Sequence, residues 1–116
     1  MSIGDTSSRR TYTNLEPLPF LEFIGHTEVV ILDVRTPLEF DEGHLPGALN
    51  VDVQDPAFVS VVSQFNKQDS FALYCRAGRR SQAAAQFMID QGFTSVTNST
   101  SGIADLQSAG GVIVIS

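Results

Sequence analysis

Phe71-Ala72-Leu73-Tyr74-Cys75-Arg76-Ala77-Gly78-Arg79-Arg80-Ser81 joins an apolar run to an arginine-rich loop, and Gln82-Ala83-Ala84-Ala85-Gln86-Phe87-Met88 follows directly. Residues 71–75 carry no charge and read as a strand buried on both faces. Ala83, Ala84, Phe87 and Met88 share one face of a helix expected over residues 81–91, with Gly92 just past its end. Strand, tight loop and helix in that order form the building unit of parallel α/β sheets. The only cysteine of the chain stands where the strand stops.

Upstream, Val29-Val30-Ile31-Leu32 is a second continuous apolar run, ending at Asp33-Val34-Arg35. Thr36-Pro37 then offers an N-cap and a proline at N1, opening a short helix through Leu38, Glu39 and Phe40. Gly43-His44-Leu45-Pro46-Gly47 marks a loop, and residues 48–51 a short strand. Asp55-Pro56 repeats the cap signal before Phe58, Val61, Val62 and Phe65, spaced as one face of an amphipathic helix. Nearer the start, Leu18, Phe20, Leu21 and Ile24 form a helical face that Gly25 is expected to stop, with Pro17 and Pro19 confined to the first turn. Residues 1–15 are polar and without period, and are expected to be a flexible arm preceding one domain over residues 16–116. Downstream, Val96 closes a short strand, residues 102–109 form a short helix, and residues 112–115 a last β-like run. Alternating strands and helices imply an α/β domain with a mainly parallel sheet, whose ligands bind at the carboxyl ends of its strands. Cys75 is placed at such an end.

At 116 residues, with 42% apolar and 17% charged residues, the chain has material for one core and is not compositionally disordered. No apolar run reaches the length of a membrane span. The formal net charge of −6 argues against nucleic acid or an anionic membrane as partner. Three of the seven basic residues, Arg76, Arg79 and Arg80, nevertheless share a five-residue window, which points to a small anion as ligand. A single cysteine excludes an internal disulfide and a multi-thiolate metal site, and His26 and His44 make no ligand pattern, so neither a metal nor a cofactor is expected. No apolar segment of signal-peptide type follows Arg9-Arg10, so a cytoplasmic location is expected, although a chain whose leader had been removed would read the same.

A free thiol titrates at about 8.5, and helix N-termini or neighbouring cations lower that value. Amides of residues 76–81, curled around the sulfur, would stabilise a thiolate or an oxyanion delivered to it, and Gly78 would permit the curl. A lone buried cysteine is more often a small hydrophobe. Three arginines, a glycine and a helix start immediately downstream favour a reactive thiolate instead.

Asp33-Val34-Arg35 with Glu39-Phe40, then Gly43-His44-Leu45-Pro46-Gly47-Ala48, then Cys75-Arg76-Ala77-Gly78-Arg79-Arg80-Ser81 together resemble the rhodanese-like sulfurtransferase domains, over residues 15–115. The resemblance implies a central, mainly parallel sheet of about five short strands with helices on both faces. It also implies a cysteine that takes a sulfane sulfur from thiosulfate or a persulfide donor and passes it to cyanide or a thiol. Carried across by position, Cys75 is the persulfide-forming nucleophile, Arg76, Ala77, Gly78, Arg79, Arg80 and Ser81 bind the donor, and Asp33, Arg35 and Glu39 support the site. His44 is expected to stabilise its turn. Ser101-Gly102, Leu106 and Gly111-Val112 depart from the family's Gly-Gly, aromatic and Pro-Val, which bears on packing beneath the loop and on the preferred acceptor. Two alternatives stand beside the enzyme: a carrier module relaying persulfide to a sulfur-accepting partner protein, and a phosphatase or arsenate reductase. The last is disfavoured because related phosphatases place five residues between cysteine and arginine, against four between Cys75 and Arg80 here. With no second cysteine, the sulfur acceptor must come from outside the chain.

Overall fold

The computed structural model describes residues 11–115. Five strands, β1 (Thr13–Leu15), β2 (Val30–Asp33), β3 (Leu49–Asn50), β4 (Ser70–Tyr74) and β5 (Ser95–Ser99), form one sheet in the order β1-β5-β4-β2-β3, and every pairing is parallel. The helices are α1 (Pro17–His26), α2 (Pro37–Glu42), α3 (Phe58–Val62), α4 (Arg79–Asp90) and α5 (Ile103–Ser108). The architecture is the α/β sheet expected, covered by helices on both faces.

Side-chain alternation along the central strands assigns the two faces. Phe71, Leu73 and Cys75 join Leu32 and Val34 against α3 and α4, where Phe58, Val62, Ala84, Ala85, Met88 and Ile89 are buried. Ala72 and Tyr74 point the other way, toward Phe20 of α1 and Leu106 of α5. A strand buried on both faces needs apolar or neutral side chains at every position, which is why residues 71–75 show no polar alternation. The same alternation delivers Cys75 to the α3/α4 side of the sheet and Asp33, in register with Tyr74, to the α1/α5 side.

Several expectations are corrected. The first fifteen residues are not all arm, because Thr13–Leu15 pairs with Thr97–Ser99 as the edge strand β1, while residues 1–10 lie outside the described residues. Gly25 does not stop α1, which continues to His26, and Leu18 faces solvent while Phe23 packs inward. In α4 the helix opens two residues early, at Arg79, and the buried face carries Ala84, Ala85, Met88 and Ile89 while Ala83 is exposed. It ends in a Schellman motif, Phe93 N–H donating to Met88 O at 3.1 Å and Gly92 N–H to Ile89 O at 3.0 Å. Val96 lies near the start of β5 rather than at its close. Residues 112–115 form no strand; Val114 makes one antiparallel bridge to His44, and Val112 and Ile115 are exposed.

The helix after Asp55-Pro56 is the largest departure. Its cap signal forms an Asx turn instead, Ala57 N–H donating to Asp55 Oδ1 at 2.8 Å, and α3 spans only five residues. Phe58 and Val62 are buried, but Val61 is 39% exposed. Val62→Ala is therefore expected to lower unfolding stability by about 2 kcal/mol, from lost apolar burial and the cavity left behind. Val61→Ala should change it by less than about 0.5 kcal/mol, and urea unfolding of the two variants checks the contrast.

Candidate active site

β4 ends at Tyr74, and the chain turns through Cys75, Arg76 and Ala77 into α4, whose N-cap is Gly78. Gly78 has φ 91°, and a Cβ there would lie 2.5 Å from the carbonyl oxygen of Thr100, so both conformation and space demand glycine. Gly102, the N-cap of α5, is still more confined, since its Cβ would fall 1.5 Å from Arg76 O. The loop therefore rests directly on the backbone of residues 100–102. Ile103 N–H locks the contact by donating to Cys75 O at 3.0 Å. The sequence places Gly102 in an altered Gly-Gly pair and at the start of a short helix, and the clash distance shows why the position requires glycine. Leu106, in place of an aromatic, is fully buried in the α1/α5 core.

Cys75 is 1% exposed, and its sulfur collects the hydrogen bonds of the turn. Gly78 N–H donates to Sγ at 3.0 Å and Ser81 N–H at 3.3 Å. The Ser81 hydroxyl lies 3.4 Å from Sγ, accepting from the thiol and able to rotate and donate to the thiolate. Burial alone pushes the Cys75 thiol up. The Ser81 hydroxyl and the amides of Ser81, Ala77 and Gly78 outweigh it, leaving the thiol below its ordinary value. Since Ser81 is the third residue of α4, Sγ occupies the place of an N-cap side chain and meets the positive end of a twelve-residue helix.

The three arginines separate. Arg76 and Arg79 are exposed, and among the described residues their side chains make no hydrogen bond or ion pair. Arg80 is committed elsewhere, its two terminal nitrogens donating to Glu39 Oε1 at 2.7 Å and Oε2 at 2.9 Å. Glu39 also completes a capping box on α2, accepting from Thr36 N–H at 3.0 Å while Thr36 Oγ1 accepts from Glu39 N–H at 3.3 Å. The hydrogen bonds from Arg80, with those from Thr36, hold the Glu39 carboxyl down at about 2 despite partial burial. Arg79 and Arg80 thus belong to the first turn of α4, and the irregular loop is Cys75 to Gly78.

Asp33 and Arg35 lie beside this loop but on the opposite face of the sheet from Sγ. Arg35 Nε donates to Asp33 Oδ1 at 2.9 Å and its terminal nitrogen to Oδ2 at 2.6 Å. The same nitrogen reaches Gly43 O at 2.6 Å, and Asn50 Nδ2 donates to the carbonyls of Asp33 and Arg35 at 3.1 and 2.9 Å. Burial opposes the Arg35 charge, and the Asp33 carboxylate overcomes it, so the guanidinium titrates higher than usual. Tyr74 adds a second tie, its hydroxyl accepting from Leu45 N–H at 2.9 Å; burial and the nearby Asp33 charge raise its phenol. His44 Nδ1 donates to Phe40 O at 2.8 Å and its ring stacks on Phe40 at 3.7 Å. These groups fasten residues 43–45 to the ends of β2 and β4.

The model of the rhodanese-like domain family matches residues 17–109, and the chain belongs to that family. It is 31% identical over 75 residues to the thiosulfate sulfurtransferase PspE of Escherichia coli (strain K12), covering 65% of this chain and 71% of that protein. It is 35% identical over 75 residues to YrkF of Bacillus subtilis (strain 168), a candidate sulfur carrier protein, covering 65% of this chain and 40% of that one. The fold is similar to that of a rhodanese-related protein from Thermoplasma volcanium, with a TM-score of 0.79 at 23% identity, covering 90% of this chain and 100% of that structure. Several curated relatives are longer proteins, of which the chain spans 31–44%.

Among the described residues, Ser81 is the one side chain hydrogen-bonded to the sulfur. Ser81→Ala removes its hydroxyl and keeps its amide, so the thiol is expected to titrate higher and alkylation of Cys75 by iodoacetamide at neutral pH to slow by about tenfold, the scale of one hydrogen bond to an anion. A pH profile of the alkylation rate measures both.

Proposed function

We propose that the chain is a sulfurtransferase in which Cys75 carries a sulfane sulfur as a persulfide. The observation that carries this reading is the convergence of Gly78 N–H, Ser81 N–H and the Ser81 hydroxyl on one sulfur atom. A thiolate so solvated is available as a nucleophile at neutral pH. In the first step the Cys75 thiolate attacks the outer sulfur of thiosulfate. The S–S bond breaks, sulfite leaves with its electron pair, and Cys–S–S⁻ remains. In the second step cyanide or a thiolate takes the terminal sulfur and the Cys75 thiolate returns.

Arg76 and Arg79 serve as the donor-binding side chains because they are exposed at the mouth and unpaired among the described residues. Arg80 serves instead to anchor α4 to α2 through Glu39. Asp33 and Arg35 hold the neighbouring segment and take no part in the transfer. The short turn favours sulfur over phosphate, since its amides already close on Sγ rather than ringing a wider anion. A carrier role, in which the same persulfide passes to a partner protein, is favoured by the similarity to YrkF. It shares the first step and differs only in the acceptor.

Treatment with thiosulfate should add about 32 Da, one sulfur atom, to the intact protein; dithiothreitol should remove it and Cys75→Ser should not acquire it. With cyanide as acceptor, double-reciprocal plots should be parallel, as a double displacement requires. Intersecting plots, or transfer surviving in Cys75→Ala, would exclude the mechanism. Persulfide loading without turnover on small acceptors would identify the carrier.

Arg76→Gln and Arg79→Gln are each expected to raise the apparent KM for thiosulfate by about tenfold, with a smaller effect on kcat, as one charge-assisted hydrogen bond is lost. Steady-state kinetics at fixed ionic strength test this. An unchanged KM would assign anion binding to the backbone alone.

A further inference from the structure

Arg80 lies in the first turn of the helix that caps Cys75, yet both ends of its guanidinium fork are taken by Glu39. The pair is partly buried, with side chains 24% and 20% exposed, and Glu39 is oriented independently by the Thr36 capping box. Arg80 is therefore held from a second element, α2, and not by the loop that precedes its own helix. Cys75 and Asp52 also lie within electrostatic reach of the guanidinium. Among the described residues of this segment, the guanidinium groups left exposed and unpaired are those of Arg76 and Arg79.

We propose that Glu39 is a specificity-determining residue, which withholds Arg80 from the donor and so tunes the site toward sulfur donors of low negative charge, such as organic persulfides, over the dianion thiosulfate. This rests on the sulfur-transfer reading above and deepens it. A third guanidinium at the mouth would favour a dianion over a monoanion, because the attraction grows with the product of the charges. An ion pair with Glu39 cancels that third charge while keeping the α2–α4 contact. In this role Glu39 touches neither sulfur nor donor. It acts through Arg80.

Glu39→Gln is the discriminating variant. Glutamine keeps the capping box, since Glu or Gln serves at the third helical position, and leaves Arg80 one neutral partner instead of an anion. The probe is inorganic sulfate, an unreactive dianion, and the readout is its protection of Cys75 from iodoacetamide. Sulfate is expected to protect the variant at about tenfold lower concentration than the wild type, the scale of one hydrogen bond to a charged group. The ratio of Cys75 persulfide loading rates from thiosulfate and from an alkyl persulfide should shift toward thiosulfate by a similar factor. In the double variant Glu39→Gln/Arg80→Gln both gains should disappear.

Sulfate protection of Glu39→Gln equal to or weaker than that of the wild type would overturn the proposal and reduce Glu39 to an anchor. So would persistence of the gain in the double variant, with circular dichroism confirming that both variants are folded. If the wild type acquires no sulfur from either donor, the sulfur-transfer reading fails. The sulfate measurements would still decide what Glu39 does to anion binding.

Discussion

Two backbone amides and a hydroxyl converge on Cys75 Sγ, and the surrounding structure is arranged to keep them there. A sulfur atom buried to 1% exposure would ordinarily be driven to its neutral form. Here the desolvation is offset because α4 begins at the sulfur, so that the amides of Gly78 and Ser81, which a helix N-terminus leaves without internal partners, find one in Sγ. The helix gains a cap and the sulfur gains donors from the same contact. Either gain alone would be small. Together they join the stability of α4 to the chemistry of the cysteine.

That contact depends on a turn too tight to support itself. The turn is held from behind by β5 and the start of α5, where Gly102 lets the Arg76 carbonyl approach to a distance no side chain would allow. From the side it is held by Glu39, reaching across from α2 to Arg80. From below, Val34 N–H donates to Tyr74 O, continuing the β2–β4 ladder to the last residue before the cysteine. The buried Asp33–Arg35 pair belongs to the same scheme one layer away. With Asn50 and Gly43 as further partners, it fixes residues 43–50 over the sheet edge. A buried ion pair is seldom a large net source of stability, but it strongly disfavours arrangements that leave either charge alone. The hydrogen bonds of this pair to Gly43 and from Asn50 are what tie the end of β2 to the segment that follows α2.

The parts of this arrangement that were legible in the sequence are those encoded by neighbours in the chain. β4, the cysteine, Gly78 and the helix after it form one continuous segment, and Thr36-Pro37 with Glu39 three residues past the cap is a local signature that the structure repeats as a full capping box. Contacts between distant segments were not readable in the same way. β5 is Ser95-Val96-Thr97-Asn98-Ser99, a nearly apolar-free run that forms a strand because β1 and β4 supply hydrogen-bond partners on either side. Its buried Thr97 and Ser99 offer no hydrophobic period to find. Conversely, the spacing of Phe58, Val61, Val62 and Phe65 matches a helix template, but the segment has only to cover one edge of the sheet and does so in five residues. The arginine cluster is likewise a grouping by proximity in sequence, which the structure divides: Arg76 in the loop and Arg79 in the first helical turn are exposed, while Arg80 pairs with Glu39.

Separation of those cations also resolves the contrast between an acidic chain and a basic loop. With a net charge of −6, the protein as a whole does not attract anions, so whatever anion binding it has must be local and short-ranged. Helix α4 supplies a fixed partial positive charge at the sulfur that no neighbouring carboxylate can neutralise by ion pairing, because it resides in backbone amides. Guanidinium charge is different in kind, since a side chain can be recruited or withdrawn by whatever carboxylate stands nearby. In the proposed reading the site divides the two tasks. Backbone amides, which hold a constant partial charge, solvate the sulfur, and arginine side chains would meet the ligand in the number that Glu39 leaves unpaired.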